Sequence, residues 1–182
     1  GSTDASRLNI AVPDTKSDDV VTFGARSFSI RDQYGNLVFA SGNQLDAKAI
    51  ELGLYDDGRS DDKGVEPEGV ELLEINGRTI AFIGLERTLK SAIAVYDITD
   101  PLKVSYLDMI ITDGDVAPEG LKGYFHDGQY YLVIANEGTA TTSLYRLAIA
   151  AVPEPSTYAM LMAGFILMGF VSYRRRRDKF KL

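Results

Sequence analysis

The chain has 182 residues, no cysteine, and 26 acidic against 19 basic side chains, for a formal net charge of −7. Without cysteine there is neither a disulfide framework nor a thiolate metal site, and a single histidine excludes a multi-histidine centre. One acid and six bases follow Tyr173, which leaves 25 acids against 13 bases before it, a formal charge of −12 that repels nucleic acid and favours divalent cations or basic partners.

The first residues, Gly1-Ser2-Thr3-Asp4-Ala5-Ser6-Arg7, hold neither the basic start nor the apolar core of a secretory leader, and no initiator Met. Residues 1–19 read as a leading segment, a loop or the remnant of an upstream unit. Phe28-Ser29-Ile30 and Leu37-Val38-Phe39 then flank the turn residues Gly35-Asn36 and predict a hairpin. Residues 45–54 fit a short helix or turn. The acidic stretch Asp56-Asp57-Gly58-Arg59-Ser60-Asp61-Asp62 lacks the alternating spacing of a calcium loop and reads as solvated.

A repeat follows. Pro67-Glu68-Gly69-Val70 leads through Asn76-Gly77 to Ala81-Phe82-Ile83-Gly84-Leu85-Glu86. Fifty-one residues on, Pro118-Glu119-Gly120-Leu121 leads through Asp127-Gly128 to Leu132-Val133-Ile134-Ala135-Asn136-Glu137. Asn-Gly and Asp-Gly are the dipeptides of tight hairpins, whose two central residues need positive φ. The offset then shortens to 49, which aligns Val95-Tyr96-Asp97 with Leu144-Tyr145-Arg146. A period near 50 with about four strands predicts propeller blades. The expected fold is all-β: a partial β-propeller of about three blades of antiparallel meander over residues 20–150, plus one C-terminal transmembrane α-helix. Three blades do not close a ring of four to eight, so the chain reads as part of a longer propeller.

Residues 151–182 differ from all that precedes them. Val152-Pro153-Glu154-Pro155 comes first, then residues 157–173 without a single charge, then Arg174-Arg175-Arg176-Arg177 within a basic tail, 174–182. Seventeen residues is the lower limit of about 17–25 for a transmembrane helix. Four arginines after it should stay cytoplasmic and put the N-terminal domain outside. His126 sits beside the Asp127-Gly128 turn and reads as solvent-facing.

The order Pro-Glu-Pro, apolar helix, arginine cluster resembles the PEP-CTERM sorting signal. That resemblance implies export, inner-membrane passage, handling by exosortase-type machinery that cuts near the motif, and a cell-surface or extracellular destination often tied to exopolysaccharide. A second resemblance is to the choice-of-anchor I family. It is carried by Gly24-Ala25-Arg26-Ser27-Phe28-Ser29-Ile30, by both Pro-Glu-Gly segments, by Asn76-Gly77-Arg78-Thr79, by Glu86-Arg87, by Val95-Tyr96-Asp97-Ile98-Thr99-Asp100-Pro101 and by Ala135-Asn136-Glu137. The chain departs from the family pattern at Lys90-Ser91-Ala92, where a Gly pair is usual, and at Val65, where Pro is common.

Chemistry is sparser. The first strand of a propeller blade lines the channel, so Glu68 and Glu119 are expected to face the axis, with Glu86 and Glu137 beside them. Converging carboxylates suit Ca²⁺, which takes six to eight oxygens and can orient a phosphate for hydrolysis; some relatives carry alkaline-phosphatase-like or phytase-like labels. The competing expectation, which the sequence favours, is that Pro-Glu-Gly is a structural turn. No Gly-rich phosphate loop and no Ser-His-Asp set can be assembled, so no catalytic residue is assigned. The function expected is an exported, surface-sorted binding or structural module of the extracellular matrix, with the lipid bilayer, the sorting machinery and exopolysaccharide as partners. The alternative is a calcium-assisted phosphoesterase.

Overall fold

A computed structural model describes residues 9–11, 21–24 and 26–148. The chain divides into two units, residues 1–148 and 149–182. The motif Val152-Pro153-Glu154-Pro155, the apolar run 157–173 and Arg174 to Arg177 lie in the second, outside the described residues.

Eleven strands and one α-helix are described. β1 (Ile10–Ala11) pairs with β2 (Val21–Thr22), and β3 (Ser29–Arg31) with β4 (Leu37–Ala40), both antiparallel. The helix α1 (Gln44–Glu51) follows where a short helix was expected. β5 (Pro67–Ile75), β6 (Arg78–Leu85), β7 (Ser91–Asp97) and β8 (Ser105–Thr112) form a four-stranded antiparallel meander. β9 (Pro118–His126), β10 (Gln129–Asn136) and β11 (Thr141–Leu147) form a three-stranded one.

The two hairpins form as their dipeptides require. Asn76 and Gly77 take φ of 53° and 76°, and Asp127 and Gly128 take 47° and 76°. Positive φ at both central positions is the mirror-image turn whose twist matches paired strands.

The repeat extends into backbone detail. The Glu86 amide donates to the Glu66 carbonyl at 2.9 Å, and 51 residues later the Glu137 amide donates to the Ala117 carbonyl at 2.8 Å. Glu66 and Ala117 both hold the left-handed conformation, with φ of 47° and 56°. The same strained residue therefore opens each Pro-Glu-Gly strand.

Both faces of the two central strands of the four-stranded sheet are covered. On one, Ala81, Ile83, Ala92, Ala94, Tyr96 and Met109 join Leu45 and Ala49 of α1 and Leu54 and Val65 in a buried cluster, with Phe28 packed against it. The Phe28 ring meets the Tyr96 ring edge-on at 4.9 Å. The alternate residues Ile80, Phe82, Ile93 and Val95 are also buried. β9 packs across β5, β6 and β7, and Leu132 and Ile134 of β10 are fully buried. Period-2 alternation normally leaves one sheet face wet; β6 and β7 are instead buried on both, which explains their near-continuous apolar sequence.

The propeller expectation is corrected here to something coarser. The described residues form separate small antiparallel sheets, with no closed ring. The earliest unit is a two-stranded hairpin rather than a blade, because the chain turns into α1 after Ala40 instead of continuing the meander. No helix among the described residues is long and apolar enough to cross a membrane.

Candidate functional site

The second Pro-Glu-Gly strand meets the first sheet at Gly69 of β5 and Gly84 of β6. A Cβ on Gly69 would stand 2.6 Å from the Glu119 carbonyl oxygen, and one on Gly84 would stand 3.0 Å from that of Pro118. The start of β9 thus lies against β5 and β6 at main-chain distance. The Glu71 carboxylate, further along β5, accepts from the Gly123 amide at 2.8 Å and from the Lys122 ammonium at 2.9 Å.

Of the four carboxylates expected to converge, this arrangement brings together two. Glu68 and Glu86 each place a carboxylate oxygen within 4.8 Å of the other, and of Glu66. Glu119 and Glu137 are exposed and stand outside that group. Physically, β5 and β9 approach with their main chains rather than across an open channel, so the second strand's glutamate is not drawn in beside the first.

Glu66 is the residue that sequence reasoning missed. It is 3 % exposed and lies between Arg59, whose guanidinium donates to it, and Lys63, whose ammonium is 2.5 Å away. Burial works to raise its carboxyl pKa, but these two cations outweigh it and hold the group below the ordinary carboxylate value. Arg59 belongs to the 3₁₀ turn Asp57–Arg59, which is started by the Asp56 carboxylate accepting from the Gly58 amide at 2.9 Å. The acidic stretch judged merely solvated thus serves to deliver a cation. A usable signal was present: in the repeat alignment Glu66 faces Ala117, so its charge is special to the first unit.

Glu86 behaves oppositely. Burial, with Glu68 and Glu66 nearby, pushes its carboxyl above the usual range, despite Arg87 at 2.6 Å. Lys63 also reaches within 4.0 Å of Glu68. Three carboxylates therefore share three cations: Arg59, Lys63 and Arg87. Calcium needs six to eight oxygen ligands, and to enter here it would have to displace an ammonium and a guanidinium already bonded to Glu66.

A second polar centre joins the two large sheets. Asn136, 1 % exposed, accepts from the Ser91 hydroxyl at 2.7 Å and donates to Asp115 at 3.0 Å and to Ser143 at 3.1 Å. Asp115 also accepts from the Thr141 and Ser143 hydroxyls. These hydrogen bonds hold its carboxyl below its usual pKa, the Ser143 bond contributing most. Every member has a partner, as a structural network requires. His126 is exposed beside Asp127 at 3.3 Å, as expected for a turn position.

A family model of the choice-of-anchor I domain matches residues 2–101, and one of the PEP-CTERM protein-sorting motif matches residues 151–177. The domain match begins earlier than the span expected from the sequence, residues 20–150, and stops before the second Pro-Glu-Gly unit. It occupies the N-terminal side of the chain. No curated protein and no solved structure matches.

Proposed function

The chain belongs to the choice-of-anchor I family and ends in a PEP-CTERM sorting motif, and on that premise we propose that it is an exported, surface-sorted module that binds or builds rather than catalyses. Export and recognition by exosortase-type sorting machinery follow from the motif. Within that frame the stacked, repeating sheets act as a section of a propeller-like scaffold working in the extracellular matrix or on exopolysaccharide. The uncharged run 157–173 serves as its membrane segment during sorting.

One observation carries the non-catalytic reading: the carboxylates gathered at the first Pro-Glu-Gly strand are already matched by Arg59, Lys63 and Arg87. A phosphoesterase built on calcium would need those oxygens free.

The test has two readouts on the full chain. In a host with exosortase-type machinery, Glu154→Ala should retain the protein in the membrane fraction while the unaltered chain moves to the surface. Purified protein with calcium should show no hydrolysis of phosphoric esters. Calcium-dependent turnover that Glu68→Gln abolishes would overturn the non-catalytic reading and restore the phosphoesterase.

A further inference from the structure

The repeat allows the two hairpin ends to be compared position by position. Beside the Asn76-Gly77 turn, Glu74 pairs with Thr79, whose hydroxyl donates to the Glu74 carboxylate at 2.5 Å. At the same place beside Asp127-Gly128, Phe125 pairs with Tyr130, their ring centroids 4.8 Å apart. One pair further from the turn, Leu73 and Ile80 give way to Tyr124 and Tyr131, stacked at 5.3 Å with ring planes 17° apart.

Successive strand residues point to opposite faces, so the second hairpin end carries one ring pair on each face. Phe125 is 61 % exposed. The hairpin geometry does not demand these rings, since the first unit makes the same turn with a polar pair. Exposed apolar groups clustered at one point mark a contact surface.

Strand register identifies what that surface faces. Leu147, the last residue of β11, pairs with Tyr130, and Arg146 pairs with Tyr131. The chain therefore leaves the sheet at its aromatic end. Only residues 148–156 separate that point from the uncharged run 157–173, and nine residues reach at most about 30 Å.

We propose that the aromatic end of the β9–β10 hairpin rests in the headgroup region of the lipid bilayer that holds the uncharged run. The inference depends on reading 157–173 as a membrane segment. Tyr suits that layer, where an apolar ring body and a polar tip are both satisfied, and the exposed Phe125 ring adds apolar area beside it. Arg146 lies in the same strand row and offers a guanidinium to lipid phosphate. His126, Asp127 and Gln129 at the tip are polar, which fits the headgroups and not the hydrocarbon. The acidic charge of the domain selects zwitterionic over anionic lipid.

The natural absence of cysteine allows the test to be made with single spin labels on the full chain in phosphatidylcholine nanodiscs. Labels go at Gln129→Cys, at Glu137→Cys on the far end of β10, and at Ala163→Cys. Expected results are headgroup depth at 129, water at 137 and hydrocarbon depth at 163. In a Phe125→Glu, Tyr130→Thr background, which copies the polar pair of the first hairpin, the 129 label should move into water. A water-exposed 129 label with 163 in the hydrocarbon overturns the docking alone. A 129 label that keeps headgroup depth in the polar background overturns the part assigned to the Phe125–Tyr130 pair, since the hairpin end would then rest there without it. A 163 label in water overturns the membrane segment and the docking together.

Discussion

The Gly69 α-carbon lies so near the main chain of Glu119 that a Cβ there would stand 2.6 Å from the carbonyl oxygen. Its repeat partner Gly120 is less confined, with a Cβ meeting only that of Ala135 at 3.3 Å. The two Pro-Glu-Gly motifs are alike in sequence but unlike in duty. Gly69→Ala should cost about 1–3 kcal/mol through overpacking against main chain, which cannot yield as a side-chain tip does. Gly120→Ala should cost less. Urea unfolding midpoints of the two variants check the order.

Glu66 should govern acid stability. Its folded pKa lies below the ordinary value of 4.5, so the stabilisation is present above that value. It is lost as pH falls through the lowered folded pKa. Glu66→Gln should cost about 2–3 kcal/mol, at or below the usual range for breaking a buried pair, because both cations remain about a third exposed. The variant should also flatten the acid limb of a stability-against-pH curve. An unchanged acid limb would remove Glu66 from this role.

Glu86 should respond with the opposite sign. Its folded pKa is raised, so its protonated form favours folding, and that contribution fades as pH rises through the raised value. Glu86→Gln removes a desolvated charge beside two others and should leave the neutral-pH melting temperature unchanged or higher. A clear drop would mean the Arg87 pair matters more than burial.

Local chemistry was legible in the sequence and charge pairing across the fold was not. Asn76-Gly77 and Asp127-Gly128 announced their turns because only a few residues accept positive φ. The 51-residue offset announced two equivalent strand pairs, and the backbone bonds from Glu86 to Glu66 and from Glu137 to Ala117 repeat accordingly. The Glu66 cluster was hidden because Arg59 and Lys63 come from an irregular acidic stretch with no periodicity to place it. Two-sided burial of β6 could be read as apolar continuity, but what covers each face could not: α1 on one side and β9 on the other are long-range choices. The expected convergence of Glu68 with Glu119 failed because it assumed an open channel where glycines let two backbones touch.

Asn136 should act as the tie between the two large sheets. Asn136→Ala leaves the buried Ser91 hydroxyl without its acceptor and should cost about 1–3 kcal/mol. Adding Ser91→Ala should recover part of that loss, because the orphaned group is then gone. Strict additivity of the two changes, seen in equilibrium unfolding, would break the proposed coupling.

The claim that the gathered carboxylates serve the fold rather than a metal is tested most directly by melting the full chain in excess calcium and in chelator. A ligand bound only by the native state raises the melting temperature by mass action. With Glu66 and Glu86 held by Arg59, Lys63 and Arg87, the two melting temperatures should coincide. A calcium-dependent rise that disappears in both Glu68→Gln and Glu86→Gln would contradict the account and make the first Pro-Glu-Gly strand a metal site.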